Sequence, residues 1–374
     1  MDWRVPLADL DFDQHEEDAV IRVLRSKWVT MGAITQEFEA QFSRMVGAKY
    51  AIAVSNATEA LHLACLALGI GPGDEVIAPS LSFVATSNAI LYTGAEVRFA
   101  DVIGTKELTI DPDDIAQQIS PKTKAIIVMH YGGFPCRMKE ILVLAERFNL
   151  AVIEDAAHAP GASVDGRAMG TCGTIGCFSF FSNKNLATGE GGMLVTDRDD
   201  VAEKVRLLRS HGMTSLSYDR HQGHDYSYDV IDLGFNYRID EIRAALGLEQ
   251  LKKLSANNHR RKVCTERYWH KLNSSSIGLP FKDYAGSPAY HILPIMLPDG
   301  VNREAIISAL RSEGIQTSIH YPAIHRFTYY RSRYGDISLP RTETVSDREL
   351  TLPLYPSMSL EQVDLVAESL IRLV

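Results

Sequence analysis

A lysine between a short apolar stretch and a glycine-rich turn is the feature of this sequence best suited to covalent chemistry. Lys184 lies within IGCFSFFSNKNLATGEGG, which runs from Ile175 to Gly192. On a stiff support partly shielded from water, the charged form of a lysine is disfavoured and the neutral, nucleophilic amine becomes available. The pattern therefore fits a Schiff-base lysine, although this segment alone also fits an ordinary lysine in a surface loop.

Several groups at the ends of predicted strands could bind a flat, anionic cofactor beside this lysine. Phe83 could stack on a heteroaromatic ring, and Asp155 could hold a protonated ring nitrogen through a charge-assisted hydrogen bond. His158 follows the same strand as Asp155, and His130 and Tyr131 end another. Each has an ordinary alternative, as core packing, a helix cap or a satisfied polar group. Together they predict a site for an aromatic, aldehyde-bearing anion.

The turn Asn56-Ala57-Thr58 could hold the anionic part of such a ligand. It joins a predicted strand at 50–55 to a predicted helix at 59–68. A helix start after a strand points free backbone N–H groups at an anion, and Thr58 adds a hydroxyl. A plain helix N-cap at Asn56 or Thr58 explains the same residues equally well.

These residues must be positioned by an alternating series of strands and helices. Such a series predicts an α/β fold with a mainly parallel, doubly wound sheet, whose strand C-termini form the ligand edge. We predict a large domain over 1–250, with an N-terminal helix–break–helix segment, and a small domain over 251–374. The predicted strands cover residues 50–55, 75–78, 96–100, 124–129, 151–154 and 193–196, and the helices between them cover 59–68, 82–92, 136–148 and 199–211.

The glycines at 69, 71 and 73 do not form a dinucleotide-binding fingerprint. They follow a helix and precede a strand, whereas that fingerprint requires the opposite order. This disfavours a nucleotide-dependent dehydrogenase.

The predicted link to the small domain consists of two helices, one ending near Lys253 and one at 256–273. Before it, residues 213–230 are polar and rich in tyrosine, which predicts a mobile loop. In the small domain we predict strands near 290–296 and 315–319, and helices at 302–313 and from 359. The stretch from Ser318 to His325, with Arg331 and Arg333, is basic and aromatic, so it could meet a phosphate-bearing substrate or be a solvated surface.

Composition excludes several classes of protein. The 374 residues carry a net charge of −9, which disfavours nucleic-acid binding. No apolar run approaches the roughly 20 residues of a membrane span, and the N-terminus lacks a signal-peptide pattern, so we expect a cytoplasmic protein without a membrane partner. The five cysteines show no zinc spacing; we expect buried free thiols and no metal site.

Four blocks of the sequence, in order, resemble the nucleotide-sugar aminotransferases of the DegT/StrS type. The blocks are VSNATEALHLACLALGIGPGDEVIAPSLSFVATSNAI, VIEDAAHAPGA, CFSFFSNKNLATGEGG and GFNYRIDEIRAALGLEQL. The resemblance covers nearly the whole chain. It implies a fold-type-I enzyme that uses pyridoxal 5′-phosphate, with a doubly wound large domain and a smaller α+β C-terminal domain.

The resemblance also implies roles for particular residues. Lys184 would carry the cofactor as a Schiff base, Asp155 would pair with the pyridine nitrogen, and Phe83 would stack on the ring. His158 stands where the family usually has Gln and would contact the ring oxygen. The phosphate would be held by Ala57, Thr58 and Ser179, and by Asn236 of a neighbouring subunit, which implies a homodimer with shared active sites.

Some positions depart from the family pattern. Ala57 stands where Gly is more usual, which leaves a backbone donor with less freedom. Arg137 and Lys139 stand where acidic residues are common, on a surface away from the predicted chemistry.

The implied reaction moves an amino group from an amino acid, expected to be L-glutamate, to a nucleotide-linked keto-sugar. Two alternatives share the cofactor: a sugar dehydratase, which in this family replaces the lysine by histidine, and a non-catalytic regulator, which the acidic chain without a DNA-binding domain disfavours. Candidate contacts to the sugar or diphosphate are Trp28, Thr30, His320, Tyr321 and His325.

Overall fold

The computed structural model describes residues 3–214 and 227–374. Most of the loop predicted at 213–230 therefore lies outside the described residues. Within them, the prediction of alternating strands and helices is confirmed, with most bounds shifted by one to three residues. The strands are β1 (Tyr50–Val54), β2 (Glu75–Pro79), β3 (Glu96–Ala100), β4 (Val102–Gly104), β5 (Glu107–Ile110), β6 (Thr123–Met129), β7 (Ala151–Asp155), β8 (Ser163–Val164), β9 (Arg167–Ala168), β10 (Ile175–Ser179), β11 (Gly192–Thr196), β12 (Leu293–Met296) and β13 (Glu349–Leu352).

Several of the helices begin where a side chain satisfies a free backbone N–H group. Asp13 and Ser359 form capping boxes, and the side chains of Asn56 and Asp240 accept from backbone N–H groups of the first turn. The helices are α1 (Gln14–Ser26), α2 (Ala33–Val46), α3 (Ala57–Ala67), α4 (Ala85–Tyr92), α5 (Pro112–Gln118), α6 (Met138–Phe148), α7 (Asp199–Arg209), α8 (Glu241–Leu272), α9 (Arg303–Ser312), α10 (Thr328–Tyr334), α11 (Pro340–Arg348) and α12 (Leu360–Leu373).

A seven-stranded sheet forms the centre of the part of the chain that the structure describes, in the order β1-β11-β10-β7-β6-β2-β3. The neighbouring pairs from β10 to β3 are parallel, and both pairs that include β11 are antiparallel. This confirms the mainly parallel α/β architecture. The C-terminal ends of β2, β6, β7 and β10 consequently lie at one edge.

Side-chain alternation along the strands builds two separate hydrophobic layers. Ala51 and Ala53 of β1 belong to the layer that contains Phe38 and Phe42 of α2, whereas Ile52 belongs to the layer beneath α3. Successive residues of a strand point to opposite faces of a sheet. Both faces are covered by helices, as expected for strands that are apolar at nearly every position.

The link to the C-terminal region is one helix and not two. Helix α8 runs unbroken through the interruption predicted near Ser255, so that expectation is wrong. Tertiary contacts hold it there: Asn257 and Arg261 are buried, and the Arg261 guanidinium donates to the carbonyl of Leu354 at 2.8 Å. Residue 250, at which we predict the domain boundary, falls inside this helix.

The C-terminal region packs helices α9 and α12 against the two-stranded antiparallel sheet β12–β13 and the second half of α8. Residues 315–319, predicted as a strand, make only isolated bridges, between Val5 and Ile315 and between Ser318 and Thr351. Neither α10 nor α11 was expected from the sequence. In residues 3–214 and 227–374, none of the helices has the length and apolar character needed to cross a membrane.

The five cysteines are buried and unpaired, as predicted. The described residues contain no group of three or more His, Cys, Asp or Glu side chains that could hold a metal ion.

Candidate active site

A cavity of about 660 Å³ opens at the edge formed by the C-terminal ends of the parallel strands. Most of the residues predicted to act on a cofactor or substrate line this cavity, although they come from distant parts of the chain. The predicted residues that line it are Ala57, Thr58, Phe83, Asp155, His158, Ser179, Lys184, His320 and Tyr321.

Lys184 lies at the tip of a loop that is tied at its base. The backbone of Phe180 donates to the carbonyl of Gly191 and accepts from the N–H of Thr188, both at 2.8 Å. The amine of Lys184 is only partly exposed, and its Nζ lies 3.4 Å from Nε2 of His291. Burial lowers the pKa of Lys184 from 10.5 to about 8, against the opposing attraction of the Asp155 carboxylate.

Asp155 ends β7 with its carboxylate buried at the base of the cavity. One oxygen accepts from the hydroxyl of Thr86 at 2.7 Å, and the other from the N–H of Ala157 at 3.2 Å. Burial raises the pKa of this carboxyl, while the hydrogen bonds and the charge of Lys184 act in the opposite direction. Two donors leave acceptor positions free on the carboxylate.

The ring of His158 is held in one tautomer. Its Nδ1 accepts from the backbone N–H of Gly132 at 3.3 Å, and its Nε2 lies 2.9 Å from the hydroxyl of Tyr321. Burial holds the pKa of His158 well below its ordinary value, so the ring is neutral. A neutral ring that accepts at Nδ1 carries its proton on Nε2 and donates it to Tyr321, which leaves the Tyr321 hydroxyl hydrogen free for another acceptor.

The start of α3 forms a cradle against β11. Asn56 caps the helix by accepting from the N–H of Glu59, and Ala57 and Thr58 face the cavity. A Cβ on Gly192 would lie 2.5 Å from the carbonyl carbon of Asn56, so glycine is needed for β11 to pack directly on this turn. The result is a helix N-terminus with unfilled donors at the cavity wall, which favours an anion.

Aromatic side chains form the rim of the cavity. Phe83 is 57% exposed, and its ring centroid lies 6.1 Å from that of Tyr321. Phe83 therefore offers a free ring face to a flat ligand.

His320 reaches the cavity from a buried polar chain. Its Nδ1 lies 2.8 Å from the hydroxyl of Thr351, which in turn donates to Glu349 at 2.5 Å. Burial lowers the pKa of His320 to about 4 and raises the pKa of Glu349 to about 8. At neutral pH His320 is therefore uncharged.

Three predicted substrate contacts lie away from this cavity. Trp28 packs against Gly32, and Thr30 is exposed in the break before α2. The buried carboxylate of Glu241 holds the end of this break in place by accepting from backbone N–H groups. His325 lies against Ser80, with Nδ1 and the hydroxyl 2.7 Å apart. Within this chain, none of the three lines the cavity, so their contacts to the sugar or diphosphate stay predictions.

Asn236 is also absent from the lining of its own chain's cavity. Its backbone forms an isolated bridge with Ser210, and its neighbour Tyr237 lines the cavity instead. The role expected for Asn236 lies in a neighbouring subunit, so this position stays a prediction.

Other strand-end and basic residues have structural partners. His130 donates to Glu154 at 2.9 Å, and the hydroxyl of Tyr131 donates to the carbonyl of His320. Arg331 pairs with Asp336 and Arg333 with Glu96, which supports a solvated surface for the two arginines, whereas His320 and Tyr321 of the same predicted stretch line the cavity.

Sequence reasoning missed two residues that touch the predicted groups. Thr86 donates to Asp155, and His291 contacts Lys184 from 107 positions away. The only local signal for His291 is a polar residue inside the apolar run AYHILPIML.

The residues present fit pyridoxal 5′-phosphate. The helix start at Ala57 suits a phosphate, the partly unfilled carboxylate of Asp155 suits a protonated ring nitrogen, and Phe83 offers a stacking surface. Among the described residues, the buried Oδ1 of Asn183 has no hydrogen-bond partner at the cavity wall. Such an orphaned acceptor suits a site that a polar ligand completes.

Solved structures of known proteins share the fold of this chain over nearly its whole length. Helicobacter pylori PseC, an aminotransferase involved in the biosynthesis of pseudoaminic acid, superposes with a TM-score of 0.92 at 28% identity over 98% of each chain. The putative sugar aminotransferase Spr1654 from Streptococcus pneumoniae, solved in a PLP form, has a TM-score of 0.91 at 28% identity and covers 99% of this chain and 98% of its own. The fold is therefore that of a fold-type-I, PLP-dependent sugar aminotransferase.

Sequence comparison identifies the family. The Bacillus subtilis spore coat polysaccharide biosynthesis protein SpsC is 40% identical over 364 residues, 95% of this chain and 93% of its own length. Residues 11–371 match the DegT/DnrJ/EryC1/StrS aminotransferase family, and the chain belongs to that family.

Proposed function

We propose that this enzyme transfers an amino group from L-glutamate to a keto-sugar linked to a nucleoside diphosphate, with Lys184 as the Schiff-base lysine. The observation that carries the proposal is the environment of Lys184: a partly buried amine with a pKa lowered to about 8, facing the same cavity as Asp155 and the start of α3. At pH 7 about a tenth of such an amine is neutral, against about one in 3,000 for an ordinary lysine.

The chain's own residues would bind and orient the cofactor. Ala57, Thr58 and Ser179 would hold its phosphate, Asp155 would keep its ring nitrogen protonated, and Phe83 would cover one ring face. Bound pyridoxal phosphate supplies an electron sink and carries the amino group between the two substrates.

Lys184 would move the protons. Its free amine would take the proton from Cα of the amino donor, and in the second half-reaction it would deliver a proton to the sugar carbon that receives nitrogen. His158 would contact the ring oxygen of the cofactor. Neutral His320 faces the same space, so it would bind an uncharged sugar hydroxyl without competing for the donor's carboxylate. Tyr321, whose hydroxyl hydrogen is free, would donate to an oxygen of the ligand.

We propose a homodimer in which Asn236 reaches the phosphate of the neighbouring subunit. Apolar side chains close to Asn236 support this arrangement: Ile231 is 62% exposed and Leu233 is 84% exposed. Exposed apolar clusters of this kind mark protein interfaces. The SpsC relative favours a product used in surface polysaccharide synthesis, within the cytoplasm, where nucleotide sugars are made.

An absorbance spectrum before and after addition of L-glutamate tests the transamination. We expect a band near the visible edge that glutamate converts to a shorter-wavelength band. Borohydride reduction followed by peptide mapping should place the cofactor's mass on Lys184. Lys184→Ala should lose the band, whereas Lys122→Ala, at an exposed position, should keep it. Unchanged turnover of Lys184→Ala would refute the assignment, and a band that only glutamine shifts would change the donor.

Mixed dimers test the shared site. Lys184→Ala and Asn236→Ala proteins should each be nearly inactive alone. When equal amounts are dissociated and reassociated, about a quarter of the sites should combine an intact lysine with an intact asparagine. No recovery of activity in the mixture would contradict a site shared in this way.

A further inference from the structure

Two backbone carbonyls fix the orientation of two asparagines behind Lys184, of which Asn185 is buried and Asn258 is half-buried. The carbonyl of Ala289 lies 2.7 Å from Nδ2 of Asn185, and the carbonyl of Pro160 lies 2.9 Å from Nδ2 of Asn258. A carbonyl only accepts, so both contacts require the amide NH₂ groups. Oδ1 of Asn258 then accepts the second hydrogen of Asn185, at 2.7 Å.

This chain of amides determines which nitrogen of His291 carries the proton. With both hydrogens of Asn185 engaged, its Oδ1 is an acceptor, and it lies 2.9 Å from Nδ1 of His291. Nδ1 must therefore carry a hydrogen. His291 is 3% exposed, and burial together with the nearby positive groups holds its pKa well below the ordinary value. The ring is neutral, so Nε2 is bare.

The bare Nε2 faces the amine of Lys184 at 3.4 Å, at the long end of hydrogen-bond distances. Catalytic hydrogen bonds are often long before a ligand binds and tighten in the complex. In the contact between His291 and Lys184, the amine must therefore donate an N–H hydrogen bond and Nε2 must accept it.

We propose that His291 is a positioning residue for Lys184, held by Asn185 and Asn258 as a fixed hydrogen-bond acceptor for the free amine. This inference rests on the proposed function of Lys184. An amine whose N–H is directed at His291 keeps its lone pair free for the proton on the donor's Cα. No proton passes to His291, because that would charge a buried ring beside the cation of Arg261, which donates to the His291 carbonyl at 3.2 Å.

The tautomer can be measured without any substitution. In cofactor-free protein labelled with ¹⁵N-histidine, long-range proton–nitrogen correlations distinguish Nδ1–H from Nε2–H rings. We expect the neutral Nδ1–H form for His291, assigned by loss of its signals in His291→Gln. Asn185→Leu should remove this constraint and, above the pKa of Lys184, where the neutral amine can accept a hydrogen bond, let the Nε2–H form appear. An Nε2–H or cationic ring in the unmodified protein would overturn the proposal.

A second measurement follows the amine itself. Competitive acetylation of cofactor-free protein, read by mass spectrometry across pH, gives the midpoint at which Lys184 becomes reactive. Removing an acceptor destabilises the ammonium form, so His291→Leu should lower this midpoint by about one pH unit. His291→Gln, which can offer a carbonyl at the same place, should restore it, and His325→Gln, another buried histidine, should leave it unchanged. The other titratable groups facing the cavity, which stay constant across these variants, are Glu59, His62, Tyr92, Asp155, His158, Glu190, Tyr237, His320 and Tyr321.

Turnover provides the link to function. In the loaded enzyme, His291→Leu should lower kcat about tenfold or more with little change in KM for glutamate, and His291→Gln should recover most of it. An unshifted acetylation midpoint and an unchanged kcat in His291→Leu would overturn the proposal. If Lys184→Ala kept its turnover, the proposed function would fail while the tautomer and the acetylation midpoint still reported on His291, so the two failures are distinguishable.

Discussion

Two adjacent carboxylates of β7 have opposite surroundings. Glu154 points away from the cavity and is saturated: it accepts from His130 at 2.9 Å and from the backbone N–H groups of Gly170 and Gly173 at 2.7 and 2.6 Å. Asp155 points into the cavity and has two protein donors. Both side chains are buried, so the extent of burial does not distinguish Glu154 from Asp155. The difference is the acceptor capacity left for a ligand, from which we propose a ligand-binding role for Asp155 and a structural role for Glu154.

The strongest test of this comparison is Asp155→Asn. The amide removes the negative charge that would hold a protonated ring nitrogen, while its size preserves packing. We expect kcat/KM to fall by on the order of 10²–10³-fold with a small change in stability. Steady-state kinetics and thermal unfolding would measure both. Activity within a few-fold of the unmodified enzyme would contradict the role given to Asp155.

Glu154→Gln is the matched control at the neighbouring position. One glutamine oxygen cannot serve the three donors that now meet the carboxylate, so a buried donor loses its partner. We expect the free energy of unfolding to fall by about 3 kcal/mol. Urea unfolding would show this as a lower midpoint. Turnover per folded molecule should stay near normal, and a loss of kcat like that of Asp155→Asn would erase the distinction between the two carboxylates.

Glu349 is an intermediate case, a buried carboxyl that serves a cavity residue indirectly. Its folded pKa is raised from 4.5 to about 8 by burial, so the folded state holds its proton more tightly than the unfolded state. The contribution of this proton to the free energy of unfolding is fully present below pH 4.5 and is lost as pH rises towards 8. Glu349→Gln should flatten this part of the stability profile and raise the free energy of unfolding at pH 8 by about 2 kcal/mol.

Unfolding by urea at pH 5 and pH 8 would measure this effect. The glutamine oxygen can still accept from the N–H of His320, now 2.8 Å from the carboxylate, so the local fold should persist. A variant less stable than the unmodified protein at pH 8 would show that the carboxylate is ionised and needed there.

The smallest expected effect is at Thr86, which supports Asp155 from α4. Thr86→Val keeps the shape of the side chain and removes the hydrogen bond at 2.7 Å. We expect the cofactor to dissociate about fivefold more readily, which corresponds to about 1 kcal/mol. Fluorescence titration with pyridoxal phosphate would measure the dissociation constant. Thr93→Val should leave that constant unchanged, because the Thr93 hydroxyl donates to the carbonyl of Ile90 and accepts from the N–H of Ala95, away from Asp155.

Local patterns were sufficient to predict most of the elements and the principal cavity residues. Lys184, Asp155 and Phe83 follow strands whose apolar runs and flanking turns are visible in the sequence. In a parallel sheet such strand ends lie at one edge, so the positions of these residues directly after strands were sufficient to predict that their side chains lie close together. The sequence also predicted the free, buried cysteines, since the chain offers no spacing for zinc.

Tertiary packing decided what these patterns left open. The local sequence around Trp28, Thr30 and His325 does not determine whether these side chains face the cavity. Contacts with Glu241 and Ser80 hold these segments outside it. The sequence pattern predicted a break between Lys253 and residue 256, but contacts made by neighbouring buried residues carry α8 through it. His291 reaches Lys184 only because two elements 107 residues apart pack together, and a hydrogen bond across such a distance has no local signature in the sequence.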